Sequence, residues 1–285
     1  MLKPAVLAVL ALTYPSHGGP DEVRPRCGTE APSKQILDTS RALRAGEQGL
    51  NAEGQVSATE VVVNTHVHVV AKNKTAAEGW VPEKGVQDQM VTLNNDYRGA
   101  GIKFMLKSVN YVLNATWSNG TDEIRMRKTL RKGHYSELNL YLTKQPTGSP
   151  GVLGFCTFPD YAIEGTDVLA QDGCIVHVDT LPGGLIEKFN LGKTAVHEVG
   201  HWFGLLHTFQ DGCDGAGDHV DDTPAQNSST SGCPDGQNVD TCPQKPGPDP
   251  IHNYMDYSDD VCMREFTIGQ INRIKSFWEL LRRGT

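Results

Sequence analysis

The chain has 285 residues, 38% of them hydrophobic, enough to bury a substantial core. Its 26 basic and 34 acidic residues give a net charge of -8, and no Lys/Arg run occurs, which argues against nucleic acid or an anionic membrane surface as partner. Seven cysteines are many for a reducing compartment and point to disulfides in an exported chain.

Export is also written at the N-terminus. One lysine and a short apolar run over residues 1–12 outline a secretory signal peptide, too short to span a bilayer. Cleavage is expected within 13–19, giving a signal peptide over 1–18; a buried N-terminal helix is the competing reading. Asn73, Asn114, Asn119 and Asn227 stand in Asn-X-Ser/Thr sequons, glycosylation candidates that fit an extracellular chain. Residues 19–58 read as a pro-segment or an extended strap with a helical run over 33–43, and contain Pro25-Arg26-Cys27-Gly28.

Residues 60–70 are rich in β-branched side chains and lack Gly and Pro, predicting a strand. His66 and His68 share one face of it, a spacing that can bind metal but is better read as two packed histidines. Apolar or long residues at Val86, Met90, Leu93 and Tyr97 predict an amphipathic helix over 86–97, ended by Gly99 and Gly101. A second strand follows over 102–113, a short helix over 122–130, a third strand over 138–142, and two short strands over 151–158 and 174–178. Residues 210–250 form a long irregular stretch, and 267–283 a closing helix with Ile268, Ile271, Ile274, Phe277, Trp278 and Leu281 recurring on one side.

The chemistry concentrates in His197-Glu198-Val199-Gly200-His201-Trp202-Phe203-Gly204-Leu205-Leu206-His207. On a helix, His197 and His201 lie one turn apart on one face, so both imidazoles reach one ion. Glu198, about 100° round the helix from His197, is placed to hold a water rather than to ligate. Gly204 can take the left-handed conformation that ends a helix and swings the chain back to present His207. Three neutral imidazoles suit zinc and leave a fourth position open, the arrangement of a catalytic site.

This stretch resembles the zinc helix of the metzincin metallopeptidases. Asn253-Tyr254-Met255-Asp256-Tyr257 resembles their methionine turn, and Thr208-Phe209 with Val220-Asp221-Asp222-Thr223-Pro224 is similar to the pappalysin or cytophagalysin branch, family M43, and in particular to secreted fungal metalloproteases. The resemblance implies an α/β (α+β), zincin-like catalytic domain over 59–285 with two lobes, 59–204 and 205–285. A twisted mixed sheet, the active-site helix and an irregular, disulfide-braced C-terminal lobe would make it up.

It implies Met255 as a hydrophobic floor under the imidazoles, and Tyr257 as a donor to the oxyanion, a packed tyrosine in a turn being the alternative. Four cysteines of the irregular stretch allow three pairings; the resemblance favours Cys213 with Cys242 and Cys233 with Cys262. Cys156 with Cys174 would form a third bridge, leaving Cys27. The tetrapeptide around Cys27 resembles the cysteine switch of matrix-type metzincins, whose thiolate fills the metal's open position; a disulfide or a free surface thiol is the competing reading. Asp214, Asp218, Asp221 and Asp222 offer calcium chemistry where related enzymes bind calcium, against a solvated acidic loop. The strand over the cleft, an edge strand in this fold, would capture an extended protein or peptide substrate.

The function expected is a secreted, monomeric zinc endopeptidase with Glu198 as general base. The alternative is a catalytically silent secreted binding protein on the same scaffold.

Overall fold

The structure, a computed structural model, describes residues 26–51, 60–161 and 165–284. The expected signal peptide and most of the linker before the first strand lie outside these residues. In chain order come α1 (Lys34–Asn51), β1 (Val61–Ala71), α2 (Glu83–Asp96), β2 (Ile102–Leu113), α3 (Ala115–Ser118), α4 (Glu123–Leu130), β3 (Leu138–Thr143), β4 (Gly154–Cys156), α5 (Asp167–Gln171), β5 (Cys174–His177), α6 (Lys193–Trp202) and α7 (Ile268–Phe277). Five strands form one mixed sheet in the order β2-β1-β3-β5-β4. Four run parallel, and β4 runs antiparallel to β5 at one edge.

The sheet explains its own sequence. Val63, Val67 and Val69 of β1, Leu138, Leu140 and Leu142 of β3, and Val176 of β5 are buried against α2 and α6, in a core with Met90, Leu93, Tyr97, Val196 and Phe203. Near-continuous apolar runs are what parallel strands covered on both faces require. His66 and His68 have different polar partners. His66 contacts Ser108 at 2.9 Å and Glu137 at 2.6 Å, while His68 contacts Asn139 at 3.0 Å and stacks on Tyr141. Burial drives the pKa of His68 down to about 4, so it stays neutral.

Several elements differ from the sequence reading. The first helix runs to Asn51, and it docks on α7, with Ile36, Ser40 and Glu47 buried. The β4 strand is only Gly154–Cys156, since pairing with β5 stops at Cys156 opposite Cys174. The closing helix begins at Ile268, capped by Thr267 in a capping box, and ends in a π turn over Trp278–Arg282. Ile268, expected on the apolar side, is exposed. Glu83, Lys84 and Gly85 precede the apolar spacing yet are already helical in α2, whose first turn needs no buried residue.

Between Trp202 and Ile268 the described chain contains no helix or strand. Disulfides Cys213–Cys242 and Cys233–Cys262 close this region, and Cys156–Cys174 ties β4 to β5. The N-terminal segment is fastened across both halves. Glu47 of α1 forms a buried ion pair with Arg273 of α7 at 2.9 Å, and Ile36 packs with Leu206, Phe277 and Leu281.

Candidate metal centre and active site

Helix α6 is placed by contacts at both ends. Gln89 donates to the carbonyl of Gly192 at 3.0 Å, Lys193 pairs with Asp96 at 2.6 Å, and Tyr97 donates its hydroxyl to the carbonyl of Val196 at 2.9 Å. At the other end Trp202 donates to Asp172 at 3.1 Å, and the Arg282 guanidinium lies 3.7 Å over the Trp202 ring while bonding the Trp202 carbonyl and Asp172. Gly204 then has φ 91°, and a Cβ there would meet the Phe277 ring at 2.3 Å. Only glycine tolerates that backbone region and that approach together.

The reversal at Gly204 brings His207 to the face of α6 that carries His197 and His201. Their Nε2 atoms lie 3.1 to 3.3 Å from one another. His197 donates Nδ1–H to the carbonyl of Tyr254 at 2.7 Å, and His201 donates Nδ1–H to the carbonyl of Leu205 at 2.8 Å. These bonds commit both rings to the tautomer whose Nε2 carries a lone pair and no proton. Burial holds the pKa of His197 and His207 well below the ordinary value and that of His201 at about 4, so all three stay neutral. Lone pairs crowded this closely repel unless a cation sits among them. The separation matches the edge of a tetrahedron with Zn–N bonds of about 2.0–2.1 Å. The donor set therefore fits zinc by number, charge state and spacing.

Beneath the rings, Met255 is fully buried and its sulfur lies 2.4 Å from where a Cβ on Gly200 would stand, so a larger residue at Gly200 would displace it. Tyr257 directs its hydroxyl to within 3.3 Å of His207 Nε2, at the mouth of the cluster, and burial raises its pKa. Glu198 is buried, and that burial raises its pKa to about 8 against hydrogen bonds that lower it. Cys27 is the one cysteine outside the three disulfides and is buried, with its sulfur and the three ring nitrogens all within 4.8 Å of one another.

The segment around Cys27 enters as an added strand. Gly28 N donates to the Gly154 carbonyl, and Leu153 N to the Arg26 carbonyl, both at 2.8 Å, so the outer edge of β4 is paired in parallel by residues 26–28. Arg26 is buried beside the site. Its guanidinium donates to the Ser258 carbonyl at 2.6 Å and to Asp260 at 3.1 Å, and lies 4.5 Å over the Phe189 ring.

Of the four aspartates of the irregular region, Asp218, Asp221 and Asp222 line one cavity. Asp214 pairs with Lys245 and Asp221 with Arg44, while Asp222 accepts from Gly269 N at 2.8 Å at the start of α7. Asp218 is buried, its Oδ1 taking Val220 N at 2.9 Å and its Oδ2 having no partner. Asn73, Asn119 and Asn227 are exposed, whereas the Asn114 side chain caps α3 by accepting from Trp117 N at 3.1 Å.

The family model described as Pregnancy-associated plasma protein-A, peptidase family M43, matches residues 137–279. An extracellular metalloprotease of Pyricularia oryzae is 48% identical over 261 residues, covering 91% of this chain and 90% of the relative. The chain belongs to peptidase family M43. Another extracellular metalloprotease, from Neurospora crassa, is 44% identical over 283 residues, covering 99% of this chain and 98% of its own length. Mature mirolysin of Tannerella forsythia, solved in complex with a cleaved peptide, superposes with a TM-score of 0.65 at 25% identity, over 78% of this chain and 92% of that one. The M43 chain is thus a metalloprotease with the metzincin fold. Among its described residues no helix is long and apolar enough to cross a membrane.

Sequence reasoning about this M43 chain missed the environments of Arg26 and Asp260. A charged residue beside Cys27 was the sole hint, and no spacing rule links positions 234 residues apart.

Proposed function

We propose that the chain is a secreted zinc endopeptidase in which His197, His201 and His207 hold the metal and Glu198 is the general base. The observation that carries this reading is the set of three mutually close Nε2 atoms, two of them left unprotonated by hydrogen bonds from the opposite ring nitrogen. A zinc ion bound there supplies Lewis-acid polarisation of the scissile carbonyl and lowers the pKa of water from 15.7 towards about 7. Glu198 takes the proton from the attacking water and returns it to the leaving amine. Tyr257 donates its hydroxyl to the developing oxyanion. Met255 supports the imidazoles from below, and the outer edge of β4 pairs with the extended substrate once residues 26–28 have left it.

Cys27 keeps the intact chain latent by occupying the substrate's side of the metal site. Arg26 meanwhile fills a pocket whose polar groups are the Ser258 carbonyl and the Asp260 carboxylate. With the segment gone, that pocket suits an arginine or lysine next to the cleaved bond, because a buried carboxylate without a cation is costly. Asp218, with one buried oxygen left free, supports calcium as a second, structural ion.

Purified protein should contain one zinc per chain and, once residues 26–28 have been removed, digest casein only in the absence of chelator. Glu198→Gln should retain the zinc and lose about 10²–10⁴ in rate. A Glu198→Gln enzyme that keeps most of its activity, or wild-type protein without zinc, would overturn the assignment. A peptide library digested by the active enzyme should show cleavage enriched beside basic residues.

A further inference from the structure

Two residues after Cys27, Thr29 makes a contact that the metal does not require. Its hydroxyl lies 3.0 Å from Oε2 of Glu198. The same hydroxyl oxygen accepts the amide of Cys156 at 3.0 Å, so β4 fixes its position and its single proton is directed at the carboxylate. Thr29 also donates its backbone N–H to the Cys27 sulfur at 3.3 Å, and that sulfur lies 3.3 Å from the same Glu198 oxygen. The oxygen expected to take the proton from water is therefore engaged from two sides by one short segment.

We propose that Thr29 is a second latch: its hydroxyl occupies the Glu198 carboxylate and holds the N-terminal segment over the site independently of the bond between Cys27 and the metal. This inference rests on the reading of Glu198 as the base, and deepens it. The two holds differ in kind. A thiolate serves as a ligand only while metal is present, and has then no proton to give to Glu198. A hydroxyl donates to the Glu198 oxygen with or without metal, and its position is fixed by the Cys156 amide. Removing the thiol alone leaves the Thr29 contact, the Arg26 pairing with Asp260 and both ladder bonds to β4 in place. Latency is thus expected to survive loss of the cysteine.

The test uses the full chain. In the chelator-treated protein, Thr29→Val keeps the shape of the side chain and removes the donor, and should raise the alkylation rate of Cys27 by up to about tenfold, the size of one buried hydrogen bond. Thr29→Ser, which restores the hydroxyl, should return the rate to that of wild type. In the metal-loaded protein, Cys27→Ala should remain largely latent towards casein, and Cys27→Ala/Thr29→Val should be about tenfold more active than it. Equal alkylation rates for wild type and Thr29→Val would overturn the proposal, as would equal activity of the single and double variants. A protein that alkylates as expected but never cleaves casein would instead count against the peptidase reading.

Discussion

The two halves of the molecule solve the same problem differently. Residues 61–202 satisfy their backbone groups through a five-stranded ladder and helices, and bury Val, Leu and Phe at regular spacing. Residues 203–267 have neither helix nor strand, and their backbone is paired by turns and loop-to-loop bonds, with side chains adding to them. Asp256 accepts Thr230 N at 2.9 Å, Asp249 accepts Thr241 N at 3.0 Å, and Asp260 accepts Leu191 N at 2.9 Å and Lys193 N at 3.2 Å at the start of the metal helix. Buried amides need partners whatever their secondary structure. A region rich in Asp and Thr can supply some of them from side chains, and disulfides brace it where no ladder does.

The sharpest way to break this contrast is to cut the covalent ties in each half. Replacing Cys213 and Cys242 together by Ala removes a cross-link spanning 29 residues and should cost about 3–4 kcal/mol, read by denaturant unfolding. Hydrogen exchange in the irregular region should rise with it. Replacing Cys156 and Cys174 should leave exchange at Phe155 and Ile175 protected, because those residues stay paired across β4 and β5. Equal local opening in the two variants would contradict the contrast.

Acid tests the regular half. His68 has a pKa of about 4 in the fold and 6.5 as its ordinary value, so the unfolded chain binds more protons between these limits. The stability it confers is complete above pH 6.5 and is lost as pH falls towards 4, by about 3 kcal/mol in all. In His68→Gln this slope should flatten, measured as unfolding free energy against pH. A slope unchanged by the substitution would show that other groups carry the acid limb.

Gly204 joins the two halves, and Gly204→Ala should cost about 1–3 kcal/mol from backbone strain alone, to which the clash of the new Cβ with the buried Phe277 ring adds. Its zinc content should fall as well, since the turn delivers His207. Unaltered metal content together with a native melting temperature would show that the turn tolerates a side chain.

Much of the site was legible because it is local. His197, Glu198, His201, Gly204 and His207 lie within eleven consecutive residues, where helix period and one left-handed glycine fix which side chains converge. The strand and helix order of the sheet was equally readable from hydrophobic periodicity. The boundaries of α1 and β4 were not: α1 docks on α7, and loss of a pairing partner shortens β4. The aspartates looked alike in sequence, yet Asp214, Asp221 and Asp222 are each bound to a different partner that arrives from another part of the chain.

The sequence by itself determined the convergence of His197, His201 and His207 and the alternation of strands and helices, since each depends on neighbours a few residues apart. Tertiary structure alone decided that Arg26 meets Asp260, that Thr29 reaches Glu198 and that Glu47 pairs with Arg273. Those contacts join positions 169 to 234 residues apart, and their partners are chosen by how the packed sheet and helices bring distant chain together, which no local spacing encodes.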